Sequence, residues 1–327
     1  MAYDLVAYAE AVRCKQRPTR RENVPEQFTL VARVEAIQKM VCEKREAGGL
    51  LPDRHQQDDF FVADLVGYAM KDDQATMEAP VFSLSTREDK KLWRWTSSDG
   101  KKTVDVAPGF YGRATQHDKD VLIYCTSQIV AALNAGKKPP RVVRFTAYDF
   151  LVATNRNTRG GDYERLRDTL NRLAGTQITT NIVTGKSRAA KGFGIIDSWE
   201  VVEKSPTDDR MVAVEVKLSD WLFNAINAKE VLTINRDYFR LRKPLERRLY
   251  EIARKHVGQQ GLWEIGIEAL RDKCGSTVAR LRQFRGELEK IIEADTLPDY
   301  RLTLTDDGQV RFYTRDVQLL AKRRWMT

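Results

Sequence analysis

The sequence predicts an α+β chain in which one module occurs twice, and three observations carry that expectation. A short helix signal, a loop and a longer amphipathic helix occur in two places. Each long helix is followed by two extended stretches separated by a turn. Both copies lie in the basic part of the chain: residues 1–110 hold 17 Lys and Arg against 18 Asp and Glu, and the remaining residues hold 38 against 28. Helix, helix, hairpin is the order of a winged helix. The expectation is therefore two tandem winged-helix domains behind an N-terminal extension, with segments 1–67, 68–235 and 236–327.

Residues 1–57 are charged, with weak helical stretches at 5–13 and 28–45, and read as an arm or helical appendage. Short strands follow around Val81, Phe82 and Leu84, then Leu92, Trp93 and Trp95, then Val104 and Val106 after the turn Ser98, Asp99, Gly100. Thr115 with Asp118 opens the first module like a capping box, and Leu122, Cys125, Ile129 and Leu133 form a buried stripe ended by Gly136. Val142 to Phe145 read as a strand, and Thr146 with Asp149 starts a short helix. The long helix over 162–175 buries Leu166, Leu170 and Leu173, which turns Glu164, Arg165, Asp168, Asn171 and Arg172 outward with Arg167 on the flank. Its hairpin runs through Ile178 and Ile182, a basic turn of Gly185, Lys186, Ser187, Arg188 and Lys191, and then Phe193, Ile195, Trp199 and Val201.

Between the modules Val212, Val214, Val216 and Leu218 alternate as a strand, and Ser219 caps a helix. Pro244 sits in the first turn of a helix with the stripe Leu245, Leu249 and Ile252. The second long helix, over 278–295, buries Leu281, Phe284, Leu288 and Ile291 and exposes Arg282, Gln283, Gly286 and Lys290. Its hairpin is Tyr300, Leu302 and Leu304, the turn Asp306, Asp307, Gly308, then Val310 and Phe312.

Arg, Asn and Gln carry the forked donors and acceptors that match guanine and adenine edges in the major groove. With a net charge of +9, this points to duplex DNA as partner. The candidate DNA contacts are Arg159, Arg165, Arg167, Asn171 and Arg172 in the first module, and Arg280, Arg282, Gln283 and Lys290 in the second. Lys186, Arg188 and Lys191 join them from the basic turn. The cluster Arg240, Arg242, Lys243, Arg247, Arg248 reads either as a solvated helix end or as a phosphate clamp through Arg242, Lys243 and Arg247.

Other chemistries fit poorly. Thr184, Gly185, Lys186, Ser187 lacks the earlier glycine of a phosphate-binding loop, since Thr180 stands there. His55, His117 and His256 stand apart, as do Cys14, Cys42, Cys125 and Cys274, so no metal site, cofactor, disulfide framework or nicking-enzyme centre is read and no enzymatic activity is expected. A cytoplasmic location follows from those cysteines and from the lack of a signal peptide or membrane span in the sequence as read. A transcriptional repressor of the same fold and a single-strand binding protein remain alternatives; the latter would need aromatic platforms in a basic groove, whereas most aromatics here occupy core-like strand positions.

The runs GRATQHDKDVLIYCTSQIVAALN (112–134), RFTAYDFLVATNR (144–156), GFGIIDSWEVV (192–202) and RDYFRLRKPLERRLYEIARKHVG (236–258) resemble the replication initiator protein A family of bacterial plasmids, as does MKDDQATMEAPVFSLS (70–85). The resemblance spans roughly residues 68–318 in matching order and is absent from residues 1–60. It implies a protein of two winged-helix modules that binds repeated origin sequences, or iterons, helps melt an adjacent AT-rich stretch, and recruits the host helicase with the host initiator. It also implies DNA binding as a monomer and self-repression as a homodimer.

Overall fold

The computed structural model describes residues 43, 45, 48–55, 69–184, 191–205 and 208–324. The helices expected at 5–13 and 28–45, apart from two positions of the second, lie outside them, as does most of the basic turn at 185–191.

In chain order the structure begins with strand β1 (Lys71–Asp73), followed at once by a short helix, α1 (Gln74–Glu78), because the Asp73 carboxylate accepts from the Thr76 amide at 2.8 Å. Strands β2 (Trp93–Thr96) and β3 (Thr103–Ala107) form a hairpin, and α2 (Lys119–Asn134) follows. Next come β4 (Val142–Phe145), α3 (Ala147–Ala153), α4 (Gly160–Gly175), β5 (Gln177–Thr180) and β6 (Lys191–Gly194). A long hairpin, β7 (Ile196–Ser205) and β8 (Asp208–Leu218), leads to α5 (Asp220–Asn227) and β9 (Val231–Thr233). After a 3-10 turn at Arg236–Arg240 come α6 (Pro244–His256), β10 (Leu262–Gly266), α7 (Ile267–Cys274), α8 (Leu281–Ala294), β11 (Tyr300–Leu304), β12 (Gln309–Thr314) and α9 (Val317–Arg324).

A six-element unit occurs twice, as α2-β4-α3-α4-β7-β8 and α6-β10-α7-α8-β11-β12. Each unit closes an antiparallel three-stranded sheet in the same spatial order, β4-β8-β7 in the first and β10-β12-β11 in the second. The first hairpin departs from the expected one. The stretch after Gly175 does pair, as β5 with β6, but it joins β2 and β3 in a separate four-stranded sheet of order β2-β3-β5-β6. The hairpin equivalent to β11–β12 is β7–β8. A single alternating pattern through Phe193, Ile195, Trp199 and Val201 therefore spans two strands of different sheets: Phe193 pairs with Ile178, while Trp199 and Val201 pair with Val216 and Val214. Gly194 stands at the crossing, where an added β-carbon would lie 2.7 Å from the Ile196 carbonyl oxygen.

Two buried apolar clusters correspond to the two units. The first holds Leu122, Cys125, Phe150, Leu166, Leu170, Leu173 and Val216, and the second holds Leu249, Ile252, Leu270, Phe284, Leu288, Ile291 and Phe312. Helix α2 serves both, since its Leu122 packs in the first and its Ile123 in the second. That is why residues 119–127 of α2 are buried on every side rather than along one stripe. Leu281, expected in the second core, is only half-buried at the first position of α8.

Where α2 meets α6 and β1, the contact is ionic. Lys119 Nζ lies 2.6 Å from Asp72 and 3.0 Å from Glu251, all three fully buried. Glu251 also accepts from the Tyr238 hydroxyl at 2.7 Å, from Gln116, and from Arg248 at 3.2 Å. Arg248 reaches the carbonyls of Thr76 and Lys273, each at 2.9 Å. Burial raises the Asp72 carboxyl above its ordinary range, and the Lys119 ammonium pulls it back down. Buried charges persist only where each finds partners of this kind, and every group named here does.

Candidate nucleic-acid interface

Helix α8 begins without an acidic residue in its first turn. Arg280, which sits at its N-cap, and Arg282 and Gln283 are exposed, as is Lys290 two turns on. Arg280, Arg282 and Lys290 make no ion pair with any described residue, while Arg285 spends its charge on Glu289 at 3.1 Å. Phe284, Leu288 and Ile291 are buried beneath them, so the cations project from the side away from the core.

Helix α4 carries the same buried spacing with a different outward face. Arg172 is held by Asp118, its Nε at 2.8 Å from Oδ2 and its Nη2 at 2.7 Å from Oδ1. Asp118 is itself buried and also accepts from Thr169 at 2.7 Å; the Arg172 charge keeps its carboxyl below the usual carboxylate range despite burial. Arg172 is thus corrected from a base-contact candidate to the partner of a buried carboxylate. Arg165 is exposed but bridges Asp162 at 3.0 Å, and Asn171 and Arg167 are half-buried. Arg159 is exposed at the helix N-cap.

The basic cluster around Pro244 divides. Arg242 and Lys243 are exposed. Arg247 is buried, with Nη1 2.6 Å from Asp120 Oδ1 and further bonds to the carbonyls of Leu241 at 3.0 Å and Phe239 at 3.1 Å. Asp120 also receives Arg156 at 2.9 Å. Arg240 and Arg248 are buried too. Arg247 is therefore corrected from phosphate clamp to interior ion pair between the two units, because a guanidinium with all its nitrogens engaged inside the protein has none to offer a phosphate. Of the turn candidates, Lys186 and Arg188 lie outside the described residues, and Lys191 is placed by its backbone alone, in β6 opposite Thr180.

Sequence reasoning missed the acidic partners. Asp118 and Asp120 stand two residues apart at the start of α2, and each takes an arginine distant in sequence, Arg172 and Arg247. Asp118 did carry a signal as the capping residue for Thr115, whose amide it accepts at 2.8 Å. Nothing local marked Asp120. Among the described residues no group of three or more His, Cys, Asp or Glu is placed to hold a metal ion, and no helix is long and apolar enough to cross a membrane.

Comparison with known proteins bears on this arrangement. The family model for replication initiator protein A matches residues 71–302. A protein described as "Putative replication protein" from Wigglesworthia glossinidia brevipalpis is 36% identical over 248 residues, covering 75% of this chain and 88% of that one. Two crystal structures of RctB domains 2 and 3 share the fold at 12% identity, with TM-scores of 0.51 and 0.50. They cover 72% and 74% of this chain and 94% and 97% of theirs. With the family model matching well over half of the chain and a relative at that identity, the chain belongs to the replication initiator protein A family.

Proposed function

We propose that each six-element unit is a winged helix and that the chain initiates plasmid replication by binding repeated origin sequences in duplex DNA. On this reading α8 is the principal reading helix. The observation that carries it is the cationic first half of α8, where Arg280, Arg282 and Gln283 stand exposed while Phe284, Leu288 and Ile291 are buried. Recognition helices present their N-terminal residues to base edges, and a bidentate arginine to guanine is the commonest specific contact. Arg242 and Lys243, with Arg159 and Arg165, supply phosphate contacts that position the chain without reading sequence. Melting of an adjacent AT-rich stretch, recruitment of host replication proteins, and homodimerisation for self-repression belong to the same proposal through the family, as does a chain without enzymatic activity acting in the cytoplasm.

The test is selection of binding sites from a random duplex pool with the full chain and with Arg282→Ala. The expected outcome is a site enriched by the full chain and loss of preference at one base pair of it in the variant. An identical selected site in both would remove α8 from the role.

A further inference from the structure

A cavity of about 390 Å³ lies between β2, the turn around Arg113 and the loop joining α7 to α8. Trp93, Arg113, Lys91, Leu92, Thr277 and Val278 line it. Arg113 is 1% exposed, and its Nη2 pairs with Asp89 at 3.0 Å. Among the described residues its Nε and Nη1 find no partner, and neither does the buried indole Nε1 of Trp93. The guanidinium carbon lies over the Trp93 ring, 5.2 Å from its centroid. Burial works against the Arg113 charge and Asp89 only partly supports it. Three unpartnered donors on two adjoining side chains at one cavity are costly unless an acceptor completes them.

The donors set the chemistry. A guanidinium with two buried nitrogens lacking acceptors matches an oxyanion, and phosphate is the oxyanion with acceptors enough for both it and the indole. Lys91 is exposed at the rim and adds positive charge, while Arg271 is engaged by Asp272 at 3.2 Å. The volume falls within the range of small-ligand sites and exceeds what a lone phosphate fills, and Leu92 and Val278 provide an apolar wall for an attached body. The wall is rigid. Gly275 adopts φ +72° at the end of α7, and a β-carbon there would stand 2.5 Å from Pro80 and 3.6 Å from Trp93.

We propose that this cavity takes a phosphate ester of nucleotide size, supplied by a free nucleotide or by one unit of a DNA strand, with the phosphate on Arg113 and Trp93. The loop that forms its far wall runs through Thr277 and Val278 directly into Arg280 at the start of α8, so an occupant sits beside the helix assigned to base reading. The strand source rests on the proposed DNA-binding function; the free nucleotide does not.

The experiment uses the full chain with ATP, with inorganic phosphate and with a non-specific duplex, comparing the unaltered chain with Trp93→Phe, Lys91→Gln and Arg113→Lys. Saturable ATP binding by calorimetry, weakened roughly tenfold in Trp93→Phe, which keeps the ring and loses the donor, establishes the free-nucleotide source. Inorganic phosphate should compete with ATP at higher concentration. A chain that ignores ATP and phosphate, but whose duplex affinity falls in Trp93→Phe and whose salt slope falls by about one in Lys91→Gln, establishes the strand source. If neither ATP nor duplex binding responds to Trp93→Phe and Lys91→Gln, the proposal is overturned whatever becomes of Arg113→Lys, whose buried site makes folding less certain to survive. The Arg282→Ala selection is unaffected by that failure, so the two ideas fall separately.

Discussion

Helices α4 and α8 share a buried spacing, Leu166, Leu170 and Leu173 in one and Phe284, Leu288 and Ile291 in the other, and occupy equivalent places in their six-element units. Their outward faces are employed differently. On α4 the acidic residues Asp162, Glu164 and Asp168 sit among the cations, and Arg172 is drawn down onto Asp118. On α8 the stretch from Arg280 to Gly286 contains arginines without a carboxylate, and the acidic residues begin at Glu287. A repeated pattern therefore does not imply a repeated role. What decides is whether the chain elsewhere supplies a buried carboxylate within reach.

The sharpest way to break this comparison is to remove the arginines that buried carboxylates hold. Arg247→Ala or Arg172→Ala leaves Asp120 or Asp118 buried without its main cation, and each should lower unfolding free energy by about 3–5 kcal/mol in urea titration, with Arg172 at the lower end because it is partly exposed. A loss below about 1 kcal/mol at Arg172 would return it to the surface and reopen α4 as a reading helix.

Arg282→Ala should behave in the opposite manner. Folding stability is expected to stay within about 0.5 kcal/mol, while specific binding weakens by about 1–3 kcal/mol in titration against the selected site. If Arg165→Ala produced the same loss of specificity, the two helices would be equivalent after all.

Acid should weaken the fold through one histidine in each half. His117 is pushed down to about 3 by burial and then by Arg247 and Arg156, and His256 down to about 4 by burial and then by Lys273. Both stay neutral in the folded chain while the unfolded chain takes up protons below about pH 6.5, so their contribution is complete above that value and is lost as pH falls toward 4. Each adds at most about 1.4 kcal/mol per pH unit to the slope. Asp72, whose carboxyl burial raises, holds its proton in the folded chain over the same range and offsets part of this loss. Denaturation midpoints should therefore decline between pH 7 and 5 by less than the two histidines alone would give, and His117→Gln or His256→Gln should each make the decline shallower.

The smallest effect concerns the divided basic cluster. Arg242→Gln should lower the slope of log affinity against log salt by about one unit with no change in stability, whereas Arg247→Gln should leave the slope alone and destabilise the protein. Equal slopes for Arg242→Gln and the unaltered chain would make Arg242 a solvated surface residue.

The sequence by itself was enough for the repeated helix pair, the apolar stripes and the second hairpin. These depend on periodicity and on caps such as Thr146 for Asp149 and Ser219 for Leu222, which act over a few residues. It was also enough for the family, because the matching runs are contiguous stretches of chain. Only the tertiary structure separated Arg242 from Arg247, which stand five positions apart in one basic run. It alone joined Arg172 to Asp118 across 54 positions and Arg247 to Asp120 across 127, and divided one alternating stretch between two sheets at Gly194. An arginine looks the same in sequence whether it faces water or a buried carboxylate. The carboxylate that captures it comes from another element, and nothing in the local pattern records its distance.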